Sequence, residues 1–262
     1  MRWLWSSAST PSLAFTSDTR FCNQLVFLLI REAKINALWE LIDSPVPHSA
    51  TLSAKEASRR KGLLLLSIVR TLLAAPQDAL PSALAAFSRA LETAHSSHAS
   101  VSIAGTYLTQ VLLKSTLSAP SDVALFDRFV QSVPQWNKSH PDRAVFKMAH
   151  LKLHHPISPS ADEALGFIRT LNTLDSHPFL SPTTASQKAT VFSFFFDTVK
   201  LLQEKSRLDD SAWVMDFLQQ RFPEFADTVE ASPDLVRLSS PALSTDADTT
   251  THLPEWRVPG LG

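Results

Sequence analysis

The sequence predicts an all-α fold, an α-solenoid of about five stacked helical hairpins, from three observations. Apolar residues recur at helical spacing in paired blocks along most of the chain. Only 5 glycines occur in 262 residues, where average composition gives about 18. Neither Asn-Gly nor Asp-Gly turns occur, so the signals of β-hairpins and phosphate-cradling loops are missing. Finally, the first helices of the pairs fall near residues 19, 60, 101, 142 and 185, a step of about 41 to 43 residues. One hairpin cannot bury its apolar face alone, so a regular step of this size implies stacking of neighbours.

The first pair covers Thr19–Lys34 and Asn36–Ile42. Phe21, Leu25, Leu28 and Leu29 share a face of its first helix, and Asn36 is positioned to cap the second. The run Ser44-Pro-Val-Pro ends the unit. The second pair is Ala54–Ala74 and Pro81–Ala94. Leu65, Ile68, Val69 and Leu72 form one stripe and Leu84, Phe87 and Leu91 the other, with Pro81 suited to a first turn. The third is Val101–Leu117 and Asp122–Val133, with Ser121 as candidate cap and Pro134 beyond the stop. In the fourth, Asp142–Leu153 and Ala161–Leu171, the pair Ser160 and Glu163 matches a capping box. The fifth is Ala185–Lys205 and Asp209–Arg221. Its run Val191, Phe192, Phe194, Phe195, Phe196 and Val199 is too apolar for a surface helix, so this helix should be central.

The helical domain therefore spans residues 19–238. Residues 1–18 are Ser-rich and carry no acid before Asp18, the character of a flexible arm or a mitochondrial transit peptide; without such an address the chain would be cytoplasmic. Residues 239–262 read as a disordered tail in which Trp256 either folds back or anchors a partner. No apolar run approaches the roughly 20 residues that span a bilayer, so no membrane insertion is expected. The single cysteine, Cys22, excludes an internal disulfide and reads as a small buried hydrophobe. Residues 1–158 carry 16 Lys and Arg against 10 Asp and Glu, and the remainder is acidic.

Three segments carry a family resemblance. Thr190-Val-Phe-Ser-Phe-Phe-Phe-Asp-Thr-Val-Lys-Leu-Leu-Gln-Glu-Lys-Ser-Arg-Leu-Asp-Asp-Ser-Ala-Trp-Val-Met-Asp-Phe-Leu has an aromatic-led helix, a short basic turn, then acids and a small residue opening a second helix. Phe21-Cys-Asn-Gln-Leu-Val-Phe-Leu-Leu-Ile-Arg-Glu-Ala-Lys-Ile-Asn-Ala-Leu-Trp-Glu-Leu-Ile is similar, and Ala161-Asp-Glu-Ala-Leu-Gly-Phe-Ile matches another second helix. These resemble degenerate pentatricopeptide (or tetratricopeptide) hairpins. The resemblance implies an organellar protein holding single-stranded RNA along a concave surface.

Residue chemistry points to binding and away from catalysis. Lys55, Arg59, Arg60 and Lys61, with Arg70 nearby, are the densest basic cluster and the candidate RNA or anion contact. His150 and His154 lie four apart, the spacing at which two imidazoles meet one ion. No Cys or carboxylate close in sequence completes a ligand set, so the expected metal and cofactor complement is none. His154 and His155 are instead expected to meet the terminal carbonyls of their helix. The absence of nucleophile-elbow, Walker and dinucleotide glycine patterns argues against an enzyme. The acid pairs Asp162-Glu163 and Asp209-Asp210 fall at helix starts, where dipole and capping roles suffice. Trp39, Trp136, Trp213, Phe192, Phe195 and Phe196 read as core. The expected function is a non-catalytic helical-repeat binding protein for organellar RNA; the alternative is a protein–protein scaffold.

Overall fold

The computed structural model describes residues 18–43, 53–75, 79–93, 98–114, 123–174 and 176–223. The arm before Asp18, the expected cap Ser121 and the tail with Trp256 lie outside the described residues. Those described form ten α-helices and no strand. In order they are α1 (Thr19–Arg31), α2 (Ile35–Asp43), α3 (Ala54–Leu73), α4 (Ala79–Thr93), α5 (His98–Lys114), α6 (Val123–Trp136), α7 (Pro141–Leu153), α8 (Asp162–Asn172), α9 (Ala185–Glu204) and α10 (Leu208–Arg221).

Side-chain chemistry explains several boundaries. Asp18 accepts the Phe21 backbone N–H at 3.0 Å, and Ser53 accepts that of Glu56 at 3.2 Å. Each satisfies a donor that an α-helix leaves unpaired at its start. Thr184 and Gln187 form a reciprocal capping box at the head of α9. The turns after α1 and α9 share one device: Ala33 and Ser206 adopt positive φ, 53° and 58°. The Lys34 N–H then reaches Leu29 O at 2.7 Å, and the Arg207 N–H reaches Leu202 O at 2.8 Å.

Four local expectations are corrected. Helix α2 starts at Ile35, so Asn36 sits inside its first turn and caps nothing. Pro134 lies within α6; so near the C-terminus it removes only one internal hydrogen bond, and the helix runs on to Trp136. Ser160 and Glu163 form no capping box. Ser160 Oγ accepts the Asp162 N–H at 3.2 Å, while Glu163 turns across the hairpin to Lys152. The first helices begin at 19, 54, 98, 141 and 185, giving steps of 35, 44, 43 and 44. The step is therefore less regular than the sequence spacing suggested, because α3 starts at Ala54, its expected bound, with a capped polar stretch ahead of residue 60.

Consecutive helices pack in pairs: α1 with α2, α3 with α4, α5 with α6, α7 with α8 and α9 with α10. Between pairs, α1 packs on α3, α3 on α5, α5 on α7 and α7 on α9; α4 packs on α6 and α8 on α10. The buried residues form two clusters. The first runs from Cys22 to Leu151 around Phe87, Phe129 and Trp136. The second runs from Phe146 to Phe222, and in it Phe194 and Phe195 of α9 are 1% exposed; α9 is not the central helix expected, for it lies in the last hairpin and keeps an exposed face at Ser193 and Lys200. Helix α7 serves both: Ala144 and Leu151 face the first cluster, Phe146, Ala149 and Leu153 the second. The loop after α8 contributes Phe179, which stacks on Phe146 with centroids 4.5 Å apart.

Candidate functional site

The polar groups that converge most closely sit where α7 meets α9. His150 stands in the last turn of α7, and His154, four residues on, is its C-cap. Helix α9 is apolar through Phe194-Phe195-Phe196 and then places a carboxylate, Asp197, opposite them. His150 Nε2 lies 3.2 Å and His154 Nε2 3.0 Å from the same oxygen, Asp197 Oδ2. Ser193, one turn earlier on α9, donates its hydroxyl to that oxygen at 3.1 Å.

The protonation states follow from burial. His150 is 2% exposed, and burial pushes its pKa down against the hydrogen bond it donates to Asp197. Burial alone would push the Asp197 carboxyl up, but the imidazole hydrogen bonds reverse this and hold it well below the usual carboxylate range. The resting arrangement is thus a carboxylate accepting from a neutral His150. The Nδ1 of that ring is left buried without a hydrogen-bond partner. These three side chains are the described group of His, Cys, Asp and Glu able to hold a metal ion, with ligand atoms within 4.8 Å of one another.

His155 is committed elsewhere. Its Nδ1 accepts the Ser158 N–H at 2.9 Å, which leaves Nε2 to donate to Asp127 of α6 at 3.1 Å. Neither His154 nor His155 thus spends its ring on terminal carbonyls, as the sequence suggested. Beside the triad lies a cleft of about 430 Å³ between the ends of α5, α7 and α9. His154 and Asp197 open onto it, together with Lys114, Lys200 and Glu204.

No known protein family, curated protein or solved structure matches the chain.

Two members of the basic cluster pair with one acid at its own helix start. Glu56 pairs with Arg60 at 3.1 Å and with Arg59 at 3.8 Å. Lys61 is half-buried, and that burial pushes its pKa down, opposed by Asp43. Lys55 is exposed. Arg70 lies over the Tyr107 ring at 4.8 Å. The acids expected at helix starts stand in the first turns of α8 and α10, and they also tie the two helices together. Arg207 bridges Asp162 and Asp210, and Arg169 reaches Asp210 at 3.1 Å. Trp39, Trp136 and Phe195 are buried, while Phe192, Phe196 and Trp213 are partly buried against the second cluster. Sequence reasoning missed Asp197 because it looked for a third ligand nearby in the chain, whereas this one lies 43 residues beyond His154. The available signal was an acid set directly after the run Phe194-Phe195-Phe196.

Among the described residues no helix is long and apolar enough to cross a membrane.

Proposed function

We propose that this chain is a non-catalytic binding protein, a solenoid of five helical hairpins that holds a partner protein against its layer of first helices. The observation that carries this reading is the packing of α1, α3, α5, α7 and α9 on one another in succession, with the cleft opening between three members of that series. Such layers form extended binding surfaces in helical-repeat proteins. The shared turn at Ala33 and Ser206 supports kinship between the first and fifth hairpins.

The cleft favours a polypeptide over a polyanion. Lys114 and Lys200 are balanced by Asp197 and Glu204, with Leu113 and Leu201 between them. A mixed, charge-balanced surface suits a peptide with both apolar and charged side chains. On α1, Phe27 and Leu28 are 53% and 54% exposed, which adds apolar contact area for a partner. Organellar RNA is the second reading, favoured by the basic excess of residues 1–158, but the pairing of Arg59 and Arg60 with Glu56 weakens its local support.

Affinity purification of the tagged full chain after ultraviolet crosslinking, with RNA and protein read together, tests both. A stoichiometric protein partner, reduced by Lys200→Glu, is the expected result. A defined transcript surviving stringent washing would establish the RNA reading in its place.

A further inference from the structure

We propose that His150, His154 and Asp197 form a divalent-metal site of the zinc class that joins α7 to α9. Zinc takes nitrogen and oxygen ligands at about 2.0–2.2 Å in tetrahedral array, which sets neighbouring ligand atoms about 3.3 Å apart. The two nitrogen-to-oxygen distances onto Asp197 Oδ2 are 3.2 and 3.0 Å, so each needs to open by only a few tenths of an ångström. All three ligand atoms lie within 4.8 Å of one another. Drawing the imidazoles together requires modest rotation of His154, whose side chain is 32% exposed.

The ligand types fit this class. Two imidazoles and one carboxylate suit zinc and its first-row neighbours, whereas calcium and magnesium require oxygen ligands throughout. On binding, the metal takes the Nε2 position that now points at Asp197, and the single proton of a neutral imidazole moves from Nε2 to Nδ1. Ser193 remains as a hydrogen-bond donor to the carboxylate, fixing its orientation. Three protein ligands leave a coordination position open. His154 and Asp197 line the cleft, so that position faces it and takes water or a donor atom from a bound molecule.

One feature limits the affinity. Metal on Nε2 of His150 places that ring's proton on Nδ1, which is buried without a partner. Loss of such outer-shell support typically costs 10- to 100-fold, so micromolar rather than nanomolar binding is expected. The site also ties the fourth hairpin to the fifth, and its formation does not depend on what the protein binds.

The test uses the purified, chelator-stripped full chain titrated with Zn²⁺ by calorimetry, and with Co²⁺ by visible absorption. Expected are one saturable micromolar site, a rise in Tm with Zn²⁺, and the intense bands of tetrahedral Co²⁺. His154→Ala and Asp197→Asn should each weaken binding at least tenfold, with circular dichroism verifying their fold, whereas His155→Gln should not. Absence of saturable binding, six-coordinate Co²⁺ bands, or binding unchanged in both His154→Ala and Asp197→Asn would overturn the assignment.

Discussion

Gly105 and Gly166 both lie inside helices, α5 and α8, so replacing either with Ala gains the same intrinsic helix propensity, about 1 kcal/mol. Their surroundings differ sharply. A Cβ on Gly105 would stand 2.9, 3.0 and 3.0 Å from three atoms of the Trp136 indole. That ring has little room to yield. Phe87 and Phe129 each sit 6.0 Å from it, Lys147 covers it at 4.6 Å, and its N–H donates to Ser132 at 3.1 Å. Overpacking of this kind costs about 1–3 kcal/mol. A Cβ on Gly166 meets nothing within 4 Å. Gly166→Ala should therefore stabilise by up to about 1 kcal/mol, and Gly105→Ala should destabilise by up to about 2 kcal/mol once propensity is subtracted from the overpacking cost. Because propensity cancels between the two variants, their difference reports the packing cost alone. Urea unfolding followed by far-ultraviolet circular dichroism measures it. If the two variants agree within about 0.5 kcal/mol, the close approach of α5 to Trp136 is wrong.

Three further outcomes are expected. Burial, assisted by Arg143, pushes the pKa of Lys147 down to about 8. The unfolded state then holds more protons above that pH, so stability rises from pH 8 towards 10.5. Relative to Lys147→Met the gain is at most about 3 kcal/mol, limited by the donors' bonds to Thr106 and Asn137, and paired urea titrations across that window measure it. Ala33→Gly should stabilise by about 1 kcal/mol by relieving a left-handed backbone, read as a shift in Tm; an unchanged or lower Tm would contradict the strained turn. Cys22 is buried, its thiol pKa is pushed up by that burial, and it donates to Ser67. A thiol reagent should modify it only once the protein is unfolded, and rapid modification of the native chain would refute its burial.

Much of the helical pattern was legible because it depends on short-range spacing. In the stripe Leu65, Ile68, Val69 and Leu72 the first three are fully buried and Leu72 partly so, and Cys22 lies in the core. Helix ends were less legible, since competing partners decide them. Glu163 matched a cap position but prefers Lys152, and Asn36 missed the start of α2 by one residue. The ion pairing around residue 60 was readable in principle, because Glu56 stands three and four residues from Arg59 and Arg60. The site was only half legible. The helical spacing of His150 and His154 was visible, but Asp197 joins them through tertiary packing of α7 on α9, which no local spacing encodes.

Helix α7 divides its buried residues between two cores, which has a consequence for how the molecule comes apart. Each core can lose order while the other keeps its packing, with α7 as the common wall. Amide exchange should then sort the chain into two protection classes that meet at Ala144 to Leu153. A ligand drawing α7 towards α9 would slow exchange chiefly on the C-terminal side. Strain placed on α7 would be felt on both sides, so substitutions there should be the least tolerated in the protein.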